Sequence, residues 1–534
     1  MSVAGVPRPS GARPAFKPSR RAGVWLGLAA GLVVLAALGL YFINANWPYR
    51  YRKIHPLLED VLASQVKISS YRHTYFPNPG FVATGLTLRR KSAPDLPPLG
   101  SADKIVVQGR WSDLLLLRRR VQLVEITNLH VVVPPVGSRA NREDFPPGSA
   151  ADFGGPETAI EHLHILNSVL DIMRIDGKRY SFPIRNLHIR DFEKGRAISY
   201  DVDMQNALPA GQIRARGEFG PLAANDLGAT PVSGNFTFTS VALHDLGDIR
   251  GTLSSSGSFA GTLGSIAAKA VSTTPDFAVE NGRPSLVAAS VRCTVNGLNG
   301  DVAIQNIQAK TGATTVEAVG SVAGSPKSAN FDIAVIVGRA EDILRPFLHA
   351  KIPITGPVWL HGHAYVAPQG NGAGFLERLR VDGVFDVPSE HITNPATEKS
   401  LSAFSQRAQG LKSPNPDPSP GDKSSASSAD AVSSIKGPAE IRNGIVHSQK
   451  LKFQVPGAEA NLSGTFSFHD RVVHLVGDLK MESDISHTAT GFKSVLLKPF
   501  APFFKKKNAG AVIPIAVTGG PGAYKVSQDL THKK

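Results

Sequence analysis

The chain has 534 residues, 42% hydrophobic and 19% charged, with a formal charge of +15. That apolar content excludes a globally disordered polymer, and the length allows about three to four ordinary domains or one long repetitive one. The single cysteine, Cys293, excludes an internal disulfide and any cysteine-built zinc or iron–sulfur centre.

Residues 1–21 hold five Lys or Arg and no acid, and read as a basic cytoplasmic tail. Residues 22–43 follow as an uncharged run, AGVWLGLAAGLVVLAALGLYFI. As a helix it would extend about 33 Å, enough to cross a hydrocarbon core. Trp25, Leu28, Leu32, Leu35, Leu38 and Phe42 are its membrane-anchor candidates, and Tyr41, Trp47, Tyr49 and Tyr51 sit where an aromatic belt would. The run is longer than the apolar core of a signal peptide, and no small-x-small cleavage site follows it. It is therefore read as an uncleaved single-pass anchor, N-terminus inside. Other basic clusters at 118–120 and 505–507 belong to no basic helix or basic–aromatic stripe. They fit an anionic membrane surface, and nucleic acid is not expected as a partner.

The body reads as strands, and its 51 glycines and 39 prolines supply many turns. Leu379, Val381, Phe385 and Val387 alternate with Arg380, Asp382, Val384 and Asp386, which only a strand segregates. Similar sets are Ile198/Tyr200/Val202/Met204, Phe236/Phe238, Phe331/Ile333/Val335/Val337, Val358/Leu360/Ala364/Val366 and Phe466/Phe468. Helical signals are few: a stripe at Leu57–Leu62, then 112–117, 341–347 and 398–409. Residues 134–158 form a Pro/Gly-rich loop, and 411–434 a Pro/Ser-rich linker expected to be disordered. They divide the body into segments 47–133, 159–410 and 435–530.

Three passages carry a resemblance. Residues 57–133 hold VKISSYRHTYFPNPGFVATGLTLRR and then SADKIVVQGRWSDLLLLRRRVQLVEITNLHVVVPP. Residues 315–348 read TVEAVGSVAGSPKSANFDIAVIVGRAEDILRPFL, and 380–530 include AEIRNGIVHSQKLKFQVPGAEANLSGTFSFHDRVVHLVGDLKM. Their order of elements resembles the AsmA-like family of envelope proteins, whose larger relatives are of the TamB and YhdP type. The first and last passages resemble its N-terminal module and C-terminal region. The resemblance implies a bacterial inner-membrane anchor with the bulk of the chain in the periplasm. It also implies an elongated, twisted antiparallel sheet, a groove or partly open sandwich, whose apolar face offers a path to lipid acyl chains. No catalytic residue and no cofactor carry over.

The expected protein is thus mostly β, non-enzymatic, and a partner of the bilayer and of phospholipid acyl chains, supporting lipid transfer or outer-membrane homeostasis. The alternative is a non-transporting scaffold that assists outer-membrane protein assembly through strand edges. The groove candidates are Phe236, Phe238, Val335, Val337, Val358, Leu360, Leu379, Val381, Phe385, Phe466 and Phe468. Chemistry is only hinted at. His361/His363 and His162/His164 have a spacing compatible with metal binding, but no third ligand is implied in either case. Asp201/Asp203 read as a solvated face. Cys293, between Val291 and Val295, reads as a core thiol. Phe500, Phe503 and Phe504 beside Lys505–Lys507 read as a helix and loop packed on the sheet end, with a membrane-interface contact as the other option.

Overall fold

The computed structural model describes residues 47–61, 64–90, 98–116, 120–135, 159–173, 177–193, 195–223, 226–324, 327–349, 351–368, 373–409, 432–481, 512–520 and 525–528, with the single residues 34, 118 and 138. The apolar run 22–43 apart from Val34, the basic tail, most of the 134–158 loop, nearly all of the 411–434 linker and the Phe500–Lys507 passage lie outside the described residues. Among the described residues no helix is long and apolar enough to cross a membrane.

A short helix, α1 (Tyr51–Val61), leads into β1 (Ser64–Thr74), β2 (Gly80–Arg90) and β3 (Gly100–Gln108). After the turn-like α2 (Trp111–Leu115) come β4 (Arg120–Thr127), β5 (His130–Val133), β6 (Ala159–Met173), β7 (Arg179–Phe192), β8 (Ile198–Ala207) and β9 (Ala210–Phe219). The middle continues with β10 (Pro231–Ala242), β11 (Ile249–Arg250), β12 (Thr252–Thr262), β13 (Ser265–Val279), β14 (Ser285–Val295), β15 (Val302–Thr311), β16 (Thr314–Val322) and β17 (Ala329–Arg339). Then follow α3 (Ala340–Leu344), β18 (Ile354–Thr355), β19 (Pro357–Val366), α4 (Phe375–Arg378), β20 (Leu379–Ile392) and α5 (Pro395–Ala408). The chain closes with β21 (Ser433–Arg442), β22 (Ile445–Val455), β23 (Ala458–Ser467), β24 (Val473–Met481), β25 (Val512–Gly519) and β26 (Lys525–Gln528).

The described strands belong to one long twisted sheet built as a meander. Although β10 pairs with β12, β17 with β19, and the two-residue β11 and β18 with β13 and β20, most strands pair with the next in sequence. The β21–β22 hairpin shows why. Asn443 and Gly444 both take positive φ between the paired residues Arg442 and Ile445, the geometry that a two-residue turn needs to match strand twist. The expectation of a wholly antiparallel sheet is corrected at one joint. β4 and β5 both pair with β6 in parallel, so the sheet is mixed. A parallel neighbour requires a long crossover, and the Pro/Gly-rich 134–158 segment supplies it.

Twist accumulates along the meander. From β13 to β23 there are nine ladder steps. At roughly 20–25° per step they sum to about 200°. The sheet also coils as it twists, and opposite rims meet. Glu280, just after β13, lies 3.9 Å from His469 in the turn after β23. Arg378 at the end of α4 donates to the Leu246 carbonyl at 3.1 Å.

Three clusters of buried side chains hold the sheet. At the N-terminal end Val66, Phe81, Ala83, Leu86, Ala102 and Val107 pack with Ile54 and Leu58 of α1. Near β17 to β20, Val335, Ala340, Val358 and Val387 are covered with help from Ile343 of α3. Toward the C-terminus, α5 lays Leu401, Phe404 and Ala408 over Leu451, Val455, Ala458, Ala460, Leu462, Ile513 and Ile515. Trp47 is wholly buried among Tyr49, Tyr75 and Trp111, so it is a packed residue of this end and not a belt residue.

Candidate functional site

The pairing register assembles one apolar row across the sheet. Ile126 pairs with Ile165, and the row continues through Leu187, Val202, Ala215, Phe236, Gly257, Ala270, Val291, Ile307, Ala318, Ile333, Gly362, Gly383 and Ala439. Because side chains alternate with period two, every member points to the same side, hereafter the inner face. Residues on the other side are mostly polar: Asp201 faces Arg216, Asp203 faces Arg214, and Asp382 stands two pairs from Asp386 along β20. Gly257 sits opposite Phe236 because a Cβ there would lie 2.2 Å from the Lys269 carbonyl oxygen and 2.9 Å from the phenyl ring.

Coverage of the inner face changes along the ladder. From β6 to β16 the row members are only half-buried, while residues facing out, such as Lys269, Arg292 and Gln308, are exposed. In a sheet packed face to face on another layer, such residues would be fully buried. In this stretch the buried apolar side chains among the described residues are Val241, Leu243, Ala278 and Val279, at strand ends or in the turn after β10. The half-covered stretch comprises ten successive ladder strands, on the order of 50 Å at about 4.8 Å each.

The expected site residues divide accordingly. Phe236 and Phe238 lie half-buried on the uncovered stretch, and Phe236 meets Phe259 at 6.4 Å. Leu360, Leu379, Val381 and Phe385 are half-buried on the inner face of β19 and β20. Phe466 and Phe468 meet edge to face at 5.5 Å, although Phe468 belongs to the turn after β23. Three candidates need correction. Val337 is 76% exposed because a bulge between Val335 and Gly338 breaks the alternation and turns it outward. Val335 and Val358, at 2% and 7%, are core residues covered in the cluster that Ala340 and Ile343 complete, so they line no open surface. Cys293 faces inward in the Val291–Val295 alternation but is half-buried, and burial raises its thiol pKa.

The outer face is wet and charge-paired. His363 hydrogen-bonds Asp332 at 2.9 Å, which accounts for one histidine of the His361/His363 pair. Asp203 is held below the ordinary carboxylate range. Partial burial works against this, but the Gln212 hydrogen bond and the Arg185 and Arg214 charges prevail. His162 and His164 acquire a neighbour that the sequence pattern did not indicate: His188 from β7, directly opposite His164. The His188 pKa is lowered by burial and by the charges of His164, His162 and Arg190, with Asp201 opposing.

Sequence reasoning also missed a polar cavity of about 580 Å³ where the two rims meet. It is lined by Asp248, Arg250, Glu280, Glu377, His244 and His469 among others. Burial raises the Glu280 pKa, the His469 charge opposes this, and Asp248 and Glu377 add to the rise. These residues come from segments far apart in the chain, among them β11 and α4, and only the coiling of the sheet brings them together. The chain matches no protein-family model and no curated protein.

Proposed function

We propose that this protein is a membrane-anchored envelope protein whose half-covered inner face holds lipid acyl chains and supports phospholipid transfer or outer-membrane homeostasis. The observation that carries the reading is the apolar row from Ile126 to Ala439, in register across successive strands and left half-covered from β6 to β16. A face of this kind costs free energy in water, roughly 25 cal/mol per Å² of apolar area. Acyl chains would remove that area while their head groups stay hydrated at the open side. Apolar contact is non-directional, so a chain can shift along the row without a fixed partner to break.

Three further features support it. The uncharged 22–43 run is long enough to anchor the chain, and the order of elements resembles AsmA-like proteins of the inner membrane, a resemblance that implies a periplasmic location for the bulk of the chain. At the end nearest that run, Phe76 is 89% exposed, and Leu115 and Leu116 are also exposed, as a surface resting on a bilayer interface requires. The reading involves no bond-making residue and no cofactor.

The test is photo-crosslinking in the full chain, extracted with a membrane-active polymer and without detergent. A benzophenone amino acid at Phe236 or Val291 should capture phospholipid, and one at Val337 or Arg292 should not. Equal capture from both faces, or no phospholipid in the extracts of the purified chain, would remove the carrier reading. Capture of an unfolded outer-membrane protein by chain free of lipid would instead support a scaffold that works through strand edges.

A further inference from the structure

The outer face of β6 and β7 carries a cluster that the carrier reading leaves unused. His162 and His164 are two residues apart on β6 and leave the same face of the sheet. β7 runs antiparallel beside it and sets His188 opposite His164. One ring nitrogen from each of the three lies within 4.8 Å of the other two. His162 Nδ1 and His188 Nε2 are 3.3 Å apart. The His164 and His188 rings meet edge to face with centroids 4.2 Å apart.

The His162–His188 separation is that of two ligands on one metal, and the third nitrogen lies within 4.8 Å of both. Two imidazole nitrogens bound to one tetrahedral zinc at about 2.05 Å are themselves about 3.3 Å apart. The backbone positions of the three are fixed by the β6–β7 ladder, so little rearrangement separates the cluster from a closed site. The register also puts Glu125 of β4 beside His164 and Asp201 of β8 beside His188. Carboxylates in such places orient ligating imidazoles and strengthen them as donors. A pocket of about 200 Å³ opens beside His162, the one histidine of the three that lines it, with Arg120, Arg190, Arg196, Glu161 and Glu193 around it.

We propose that His162, His164 and His188 bind a divalent transition metal of the zinc class, cross-bracing β6 and β7 on the side of the sheet away from the apolar row. An all-imidazole set suits zinc, copper or nickel and is poor for calcium or magnesium, which take oxygen. The site stands independently of the lipid reading.

The experiment uses untagged full-length chain stripped with a chelator, titrated with zinc against a fluorescent competitor and separately with cobalt. The expected result is one zinc per chain with a micromolar or tighter Kd, and an intense visible cobalt band of four-coordinate type. His164→Ala and His188→Ala should each weaken zinc by more than about 100-fold, beyond the roughly 10–100-fold that loss of an orienting partner costs. Asp201→Asn should weaken it by about 10-fold, and the double substitution His361→Ala/His363→Ala should leave it unchanged. Circular dichroism checks each fold, and His188→Gln, closer in size, replaces any alanine variant that misfolds. No stoichiometric zinc, wild-type affinity in His188→Gln, or loss of binding in the His361/His363 variant overturns the proposal.

Discussion

The inner face of β22 to β25 and that of β12 to β15 are written in the same alternating pattern, yet they end differently. In the first, Leu451, Leu462, Ile513 and Ile515 are buried beneath α5. In the second, Phe259, Ala270, Val291 and Ile307 remain half-covered. The difference lies in what the connections carry. A 14-residue helix follows β20 and folds back over the sheet, whereas β12 to β16 are joined by short turns with no side chains to spare. An apolar strand face therefore marks where burial is available, and the connections decide whether the protein itself supplies it.

Placing the same charge on both surfaces gives the largest contrast. Val335→Asp should destabilise by about 4 kcal/mol, because a carboxylate would be buried with no partner. Val291→Asp on the half-covered stretch should lose about 1 kcal/mol or less, since water reaches it, while ending lipid capture. Urea unfolding of the full chain measures both, and equal losses would mean that the centre is a closed core.

Next in size is the cap itself. Phe404→Ala in α5 should lose about 2–3 kcal/mol by opening the cover over Ala460 and Ile513. Val455 and Leu462 should then gain amide hydrogen exchange, and the β12 to β15 amides should not.

A smaller effect is expected at Asp171, buried where β5, β6 and β7 meet. It accepts from Ser181 at 2.6 Å, sits 2.7 Å from His130 Nε2 and pairs with Arg179 at 3.3 Å. Burial alone would raise its pKa, but the Ser181 and His130 hydrogen bonds and the His130 and Arg179 charges lower it. Asp171→Ala should lose about 2 kcal/mol at neutral pH. The wild-type advantage is present above the ordinary carboxylate value of 3.8 and disappears as pH falls through the lower folded value.

The smallest effect has the opposite sign. Glu390 is buried beside Ser433, which donates to it at 3.1 Å; burial raises its pKa, the Ser433 hydrogen bond opposes this, and Glu398 adds to the rise. The folded state thus holds a proton that the unfolded chain releases, and stability falls as pH rises above 4.5 toward the raised value. Glu390→Gln should melt at a higher temperature than wild type at pH 8 and at the same temperature at pH 4. A constant difference between the two pH values would show that ionisation is not the cause.

Much of the fold was legible because it rests on period-two patterning. The alternations at 198–204, 236–238, 358–366 and 379–387 all fall on strands, and the helical stripes near 57–62, 112–117, 341–347 and 398–409 fall on or beside α1, α2, α3 and α5. Val337 was misplaced because a bulge adds a residue without any mark in the apolar pattern. The parallel joint at β6 was hidden because a long Pro/Gly loop is compatible with either strand direction. His188 escaped notice because cross-strand partners are fixed by register, and the pattern His162-Leu163-His164 contains no information about β7.

The sequence by itself determined most of the strands and their two-sidedness, since alternation and short turns are local properties. Only the tertiary structure decided which stretch of the inner face is covered, where the rims meet at Glu280 and His469, and that three histidines share one spot. Those outcomes depend on accumulated twist, on ladder register and on where α1, α3 and α5 fold back. Each is a sum over many residues that no single segment encodes.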